Sequence, residues 1–406
     1  MFFGWYIVAA SVALYILVGG TLYYGFPVFY EAILREYPWS RASTAGAFAI
    51  QALVIGLLSP GCGWLVDRFG TRGPLMAGVL LLALGCWILS RTDSLADFYL
   101  GFGVVGFGFV AFWIAPIAAI NNWFSARRAL ALGIAVSGYG VSGVLAPVIS
   151  WAVQAYGWRA VFLGIAAGLL ALVMPLCLVI RHRPEPYGWT VDGAPASPGT
   201  DGVPVSREEE GRVWSAPEVL RSRTFWLLVV LFTACWLPWT GIVPHMITYL
   251  VDVGIALPTA ALAITAVTML SVVGRVSGGF LGDRIDKRRL LATAMCIVCG
   301  GTALFAWISE SWQLLLFVVV FGPALGVFSP TLPALIGDYF GTRSFALIFG
   351  LLTVPNTLLL FAVPSAVGWV YDRFGGYEPA WLVMAVVTLI FVPITSRLRK
   401  PAPVPI

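Results

Sequence analysis

Twelve apolar runs, most of them roughly 18 to 27 residues long, recur from one end of the chain to the other, each long enough as a helix to cross a hydrocarbon core of about 30 Å. Inside a bilayer no water is present to satisfy the backbone, so each run has to close its own hydrogen bonds as a helix. Of the 406 residues, 60% are hydrophobic and 11% charged, where a soluble domain is about a quarter charged. An ordinary globular enzyme is excluded. The expected fold class is an all-α membrane protein of twelve transmembrane helices.

Helices are expected near 5–31, 43–66, 74–90, 96–123, 129–154 and 159–180, then near 225–251, 259–282, 290–308, 312–339, 344–371 and 379–396. The first run, Trp5 to Tyr30, has no basic segment ahead of it and no small-residue cleavage site, so it reads as a retained span. Between the two sets of six, Arg181 to Arg223 is polar, with Pro184, Pro186, Pro198, Pro204 and the acidic run Glu208, Glu209, Glu210. That composition marks a linker. The chain is thereby divided into a six-helix bundle at 1–180, a cytoplasmic linker at 181–223, a second bundle at 224–396 and a tail at 397–406. The halves are related: Gly63-x-x-x-Asp67-Arg68 recurs as Gly279-x-x-x-Asp283-Arg284, and Arg72, Phe124 and Arg127 correspond to Arg288, Phe340 and Arg343, all 216 residues apart. One constant shift across several loops points to a duplicated six-helix unit.

The net charge of +5 does not indicate nucleic acid, because the basic residues sit in short clusters between apolar runs instead of along one stripe. Arg68, Arg72, Arg127, Arg128, Arg181, Arg183, Arg284 to Arg289, Arg343, Arg397, Arg399 and Lys400 share one side, and only Arg35, Arg41, Arg91, Arg159 and Arg373 lie on the other. The positive-inside rule makes the richer side cytoplasmic, with both termini and the linker inside and the protein in the cell (inner) membrane. The six cysteines lie in or beside apolar runs and read as small hydrophobes; Cys296-x-x-Cys299 has no second pair or histidine cluster to make a metal site. No cofactor is expected.

When each charged residue is assigned to a loop or a helix end, Arg275 remains deep in the eighth span, eight residues before Asp283 and so about 12 Å up the helix. An arginine at that depth costs roughly 2.5 to 3.5 kcal/mol on insertion and usually faces a cavity or a partner. No acidic residue elsewhere in the spans offers an obvious ion pair, and a planar guanidinium is suited to hold a substrate carboxylate at two points. Thr268 and Ser271 lie seven and four residues earlier, on the same helix face. The alternative for Arg275 is structural: a side chain that snorkels, or that donates to backbone carbonyls and holds two helices together.

His245 is the one histidine in a span and a candidate proton relay, weighed against a hydrogen-bonded bundle histidine. Tyr23, Tyr24, Trp113, Tyr139, Trp236 and Phe328 are mid-span aromatics, of which Tyr24, Trp113, Tyr139 and Phe328 are candidates for walls of a site; most aromatics in such chains are lipid-facing. Asn356 is a candidate donor to substrate or to a neighbouring helix. Gly138-x-Gly140-x-x-Gly143 and Gly101-x-Gly103-x-x-Gly106 match the dinucleotide fingerprint, but no strand precedes them; in apolar helices they read as packing glycines, as do Gly274, Gly278 and Gly279.

Gly63-Trp-Leu-Val-Asp67-Arg68-Phe-Gly-Thr-Arg72 and its copy resemble the signature loop of the major facilitator superfamily. Gly4-Trp-Tyr-Ile-Val, Trp39-Ser40-Arg41, Trp123-Phe-Ser-Ala-Arg127-Arg128 and Arg275 look like the monocarboxylate porters and their bacterial oxalate:formate antiporter relatives. The resemblance implies two pseudo-symmetric six-helix bundles rocking about a central site, Arg275 as carboxylate anchor, and gating contacts by Asp67, Arg68, Arg72, Asp283, Arg284 and Arg288. The other reading of those six is ordinary topology-setting charge. Two departures stand out. Animal monocarboxylate porters carry an acid one turn before the arginine and a lysine in helix one, where this chain has Ser271 and Val28. The oxalate antiporters add a lysine in helix eleven, where no cation interrupts the span. One intramembrane cation favours a monoanion over a dianion.

The expectation is a monomeric secondary transporter that moves a small monocarboxylate by alternating access, with protons as a candidate coupling ion. The rivals are an exporter of drugs or amphipathic compounds, and a membrane sensor or scaffold that works through the central loop.

Overall fold

The computed structural model describes residues 2–39, 41–193 and 213–401. Ser40, Pro198, Pro204 and the acidic run Glu208 to Glu210 lie outside the described residues. Among the described residues twelve helices are long and apolar enough to cross a membrane: α1 Gly4–Glu36, α2 Gly46–Phe69, α3 Arg72–Ser90, α4 Leu95–Trp123, α5 Arg128–Tyr156, α6 Trp158–Val179, α7 Arg223–Asp252, α8 Leu262–Gly282, α9 Lys287–Phe305, α10 Ser311–Phe340, α11 Phe345–Phe374 and α12 Glu378–Arg397. Among the described residues there is no strand.

The expected ends are met within three residues except at α1, which runs five residues past 31 to Glu36. Its polar last turn is held by side chains: Arg35 pairs with Glu31 one turn back at 3.0 Å, and Glu36 accepts from Trp158 Nε1 at 2.6 Å and Arg159 Nη1 at 2.5 Å. Hydrophobicity alone does not foresee a helix extended by ion pairs. The linker expected at 181–223 contains short helical turns at Glu185–Tyr187 and Val191–Gly193 and a helix at Ala216–Arg221.

By contact the chain groups into two compact units. Unit 1 is Met1–Ala126, Val141–Ala216 and Phe340–Val354; unit 2 is Arg127–Gly140, Pro217–Tyr339 and Pro355–Ile406. Both α5 and α11 are cut, so this grouping is not the sequence repeat, and the division at 180 and 224 remains a proposal drawn from that repeat.

In unit 1, glycines let backbones touch. A Cβ on Gly78 would meet the Gly108 carbonyl, one on Gly85 the backbone of Val105 and Gly101, and one on Gly106 the Gln51 carbonyl. The glycines of the false dinucleotide motif at 101–106 thus pack α4 against α3 and α2. α1 opens into a wide π-helical turn at Gly19–Tyr23, where Gly20 abuts the Ser142 carbonyl at the 3-10 turn of α5. The widened turn makes room for that approach. α2 meets the first half of α11 in the same way, with Gly63 against the Ala346 carbonyl and Gly350 against the Ser59 carbonyl.

In unit 2, α8 is clamped on two sides. Gly279 abuts the Ala129 carbonyl and Gly133 the Arg275 carbonyl, which seats the first half of α5. Gly274 abuts the Pro323 carbonyl, Gly278 Val327, and Gly326 the Ser271 carbonyl, which seats α10. Between helices in lipid, close van der Waals fit replaces the hydrophobic drive available in water.

Gly274→Val should therefore lower the thermal stability of the detergent-solubilised protein, since forced overpacking costs about 1 to 3 kcal/mol. Gly164→Val, whose added carbon meets nothing within 4 Å, should not. Size-exclusion recovery after heating compares the two, and equal losses would show that close packing on α8 is not what stabilises unit 2.

Candidate functional site

α8 carries Thr268, Ser271 and Arg275 on one face, and all three are buried, at 9%, 2% and 8% exposure. The two hydroxyls turn back on their own helix: Thr268 Oγ1 donates to the Ile264 carbonyl at 2.8 Å and Ser271 Oγ to the Thr268 carbonyl at 2.6 Å. Arg275 Nη1 donates to the Val136 carbonyl of α5 at 2.6 Å. A Cβ on Gly140 would come within 2.9 Å of Arg275 Nη1, so glycine at 140 is what lets the head reach α5. Val136 and Gly140 had no signal in the sequence beyond the small-residue spacing, because a backbone acceptor has no residue type to announce it.

The Val136 bond is the contact that the structural alternative for Arg275 requires. It also fixes the fork in place. Every other charged residue within the described spans lies within five residues of a span end, whereas Arg275 is seven from Gly282, which makes it the deepest charge among the described residues. By the 216-residue repeat its counterpart in α2 is Ser59, whose hydroxyl donates to the Ile55 carbonyl at 2.6 Å. The duplicated packing frame thus carries a cation in one copy only.

The other candidates separate. Within unit 2, Tyr139 is half-buried on α5 between Val136 and Gly140, and Phe328 is fully buried on α10. His245 Nε2 lies 3.0 Å from the Pro364 carbonyl; since a carbonyl only accepts, Nε2 carries the proton there. Its ring packs 5.3 Å from Tyr377. Asn356 Nδ2 donates to Thr233 Oγ1 at 3.2 Å and so joins α11 to α7. Each of these last two makes the helix-to-helix contact that was its structural alternative. Tyr24 and Trp113 belong to unit 1: Tyr24 packs edge-on against Tyr23 at 5.3 Å, and Trp113 against Tyr15 at 6.0 Å.

The six signature-loop residues also divide. Asp67 accepts from the backbone N–H groups of Ala346 and Leu347, at 3.2 and 2.8 Å, in the first turn of α11. Asp283 does the same for Ala129 and Leu130, at 2.8 and 2.9 Å, in the first turn of α5. A carboxylate at a helix N-terminus satisfies orphan donors and opposes the helix dipole. Burial pushes the Asp283 carboxyl above the usual range, while those two bonds and nearby Lys287 pull it back. The arginines are engaged elsewhere. Arg68 lies over Trp64 and Phe69, Arg284 lies over Phe280, Arg72 donates to the Leu178 carbonyl, and Arg288 pairs with Asp286 at 2.6 Å.

One group escaped the sequence reading. Arg128 Nη1 lies 2.6 Å from Asp338 Oδ1 and Lys287 Nζ 2.9 Å from Asp338 Oδ2, with Arg128 almost wholly buried. In the sequence Arg128 reads as one more topology-setting cation, since nothing local distinguishes a buried cluster member from its solvated neighbours. Among the described residues no group of histidine, cysteine and acidic side chains is arranged to hold a metal.

The family model of the Major Facilitator Superfamily matches residues 8–275 and 236–405. Monocarboxylate transporter 13 of Rattus norvegicus is 27% identical over 390 residues, covering 94% of this chain and 85% of that one. The oxalate:formate antiporter of Oxalobacter formigenes is 24% identical over 397 residues, covering 95% and 89%. Among solved structures, the proton:xylose symporter XylE superposes with a TM-score of 0.77 at 12% identity, covering 98% of this chain and 96% of that one. The fold is therefore that of two pseudo-symmetric bundles of six membrane-spanning helices. The duplicated loops and a family match that reaches both halves lead to one conclusion: the chain belongs to the Major Facilitator Superfamily and is a membrane transporter, not an enzyme.

Proposed function

We propose that this protein moves a small monocarboxylate across the cell membrane by alternating access, with both termini cytoplasmic and Arg275 as the anion anchor. The observation that carries the reading is a permanently charged side chain held deep in α8, in a chain similar over most of its length to monocarboxylate and oxalate:formate transporters. An incoming carboxylate draws the guanidinium from the Val136 carbonyl, exchanging a neutral acceptor for a charged one. That exchange loosens the tie between α5 and α8. Binding then biases the conformational equilibrium by the difference in contacts between states. Asp67 and Asp283 act as gates, since each must release or carry with it the helix N-terminus it holds.

A rival reading rests on the same bond: if Arg275 only ties α8 to α5, the protein is an exporter of amphipathic compounds whose aromatic walls do the binding. Simple carboxylates compete for transport under the first reading and not under the second.

In proteoliposomes, saturable monocarboxylate uptake is expected from the wild type, none from Arg275→Ala, and only a small fraction from Arg275→Lys, which keeps the charge but loses the planar fork. Full uptake by Arg275→Lys would remove the two-point anchor. An imposed pH gradient in the same assay reads out proton coupling.

Asp67→Ala and Asp283→Ala should each lower the maximal rate with little change in KM, because the lost contacts lie at the helix ends. Hydrogen bonds to a charged group contribute about 1.5 to 3 kcal/mol, so a change of about tenfold or more is expected. A rise in KM at constant maximal rate would place these carboxylates in substrate binding instead.

A further inference from the structure

The offset that relates Asp67 to Asp283 also relates Asn122 to Asp338, Ser344 to Arg128 and Thr71 to Lys287. In unit 2 those positions hold the ion cluster in which Asp338 binds Arg128 and Lys287. In unit 1 all three are neutral, and no ion pair can form among them. They are nonetheless buried: Asn122 is 7% exposed, Ser344 3% and Thr71 0%. Buried amides and hydroxyls need partners, since each one left unmet costs about 1 to 3 kcal/mol.

For two of the three, the partners come from the linker. Asn122 Nδ2 donates to the His182 carbonyl at 2.9 Å, and the backbone N–H of Trp214 donates to Ser344 Oγ at 2.9 Å. These residues stand at the two ends of the linker. Both ends are firmly seated. The Arg181 carbonyl accepts from Trp123 Nε1 at 2.9 Å, and the Arg181 guanidinium lies between the rings of Phe3 and Tyr187 at 4.0 and 3.9 Å. Asp192 accepts from the backbone N–H groups of Ser125 and Ala126. Burial beside Arg183 pushes the His182 imidazole down to about 4, so it is neutral near pH 7. At the far end the Trp214 ring is 6% exposed and packs edge-on against Phe340 at 5.3 Å. Ser344 directly precedes α11, whose first N–H groups are those held by Asp67.

We propose that the two ends of the linker replace, in unit 1, the ion cluster that Arg128, Asp338 and Lys287 form in unit 2, and that His182 and Trp214 are positioning residues for the start of α11. Where unit 2 holds the α5 entry with charge, unit 1 holds the α11 entry with the Trp214 backbone N–H and ring. The kinetic consequence rests on the transport reading above; the structural one does not. Freeing Trp214 loosens α11 at its first turn and changes the rate of conformational exchange, not substrate affinity.

The test is amide hydrogen exchange on the full chain in nanodiscs, comparing wild type, Trp214→Ala, Ser344→Ala and the triple variant Trp214→Ala/Asn122→Asp/Ser344→Arg. Exchange in 342–350 is expected to rise roughly threefold or more in the first two variants, with 126–134 unchanged, and to return near wild type in the triple variant, where an ion pair is reinstalled. Unchanged exchange at 342–350 in Ser344→Ala, or no recovery in the triple variant, overturns the proposal. A rise spread over the whole chain also overturns it, as that marks general destabilisation. If Trp214→Ala does not fold, Ser344→Ala and Asn122→Asp/Ser344→Arg decide alone. Uptake of the monocarboxylate panel is measured in parallel, with a shift in maximal rate and constant KM expected. Absence of uptake in every protein counts against the transport reading and leaves the exchange result standing.

Discussion

A backbone in hydrocarbon has no water to turn to, so every N–H and carbonyl must be met by the protein, and helices can attract one another only by fitting closely. Both demands are visible at the same places. Gly279 and Gly133 bring α8 against α5, Gly63 and Gly350 bring α2 against α11, and at the end of each contact an aspartate takes the first N–H groups of the partner helix. Close approach and helix capping are thus one device, used twice. The capping carboxylate is in reach only because the neighbouring glycines have no side chain to hold the helices apart.

Against that duplicated frame the differences between the copies carry the chemistry. Ser59 and Arg275 occupy equivalent positions, yet only the second brings a charge into the span. Burying a guanidinium is costly, and its bond to Val136 offsets part of that cost while pinning the head beside Gly140. A contact of that kind serves equally as a brace and as a poised site, because a carbonyl is a weaker partner for a guanidinium than a carboxylate is. The ion cluster around Asp338 and its neutral counterpart around Asn122 show the same divergence at the helix ends.

The spans, their order and the duplication were legible in the sequence because hydropathy and motif spacing are properties of the chain alone. Arg275 stood out for the same reason, as a charge with no loop to belong to. Acceptors such as Val136, which act through the backbone, left no trace, and neither did the extension of α1, which depends on Arg159 from a distant helix. His245 and Asn356 were visible as polar residues in apolar spans, but whether each faced a neighbour or a path could not be read there, since a helix face has no direction until the other helices are placed.

The sequence by itself determined that this chain spans a membrane twelve times, as two copies of one six-helix plan with a cation in the eighth helix. Those properties follow from the cost of exposing polar groups to lipid, which acts on each segment separately. Only the tertiary structure decided that the signature aspartates cap helices while their neighbouring arginines do not, that Arg128 belongs to an ion cluster, and that the linker ends at His182 and Trp214 take the place of its missing twin. Such assignments depend on which atoms meet across segments distant in the chain, and that geometry is set by packing.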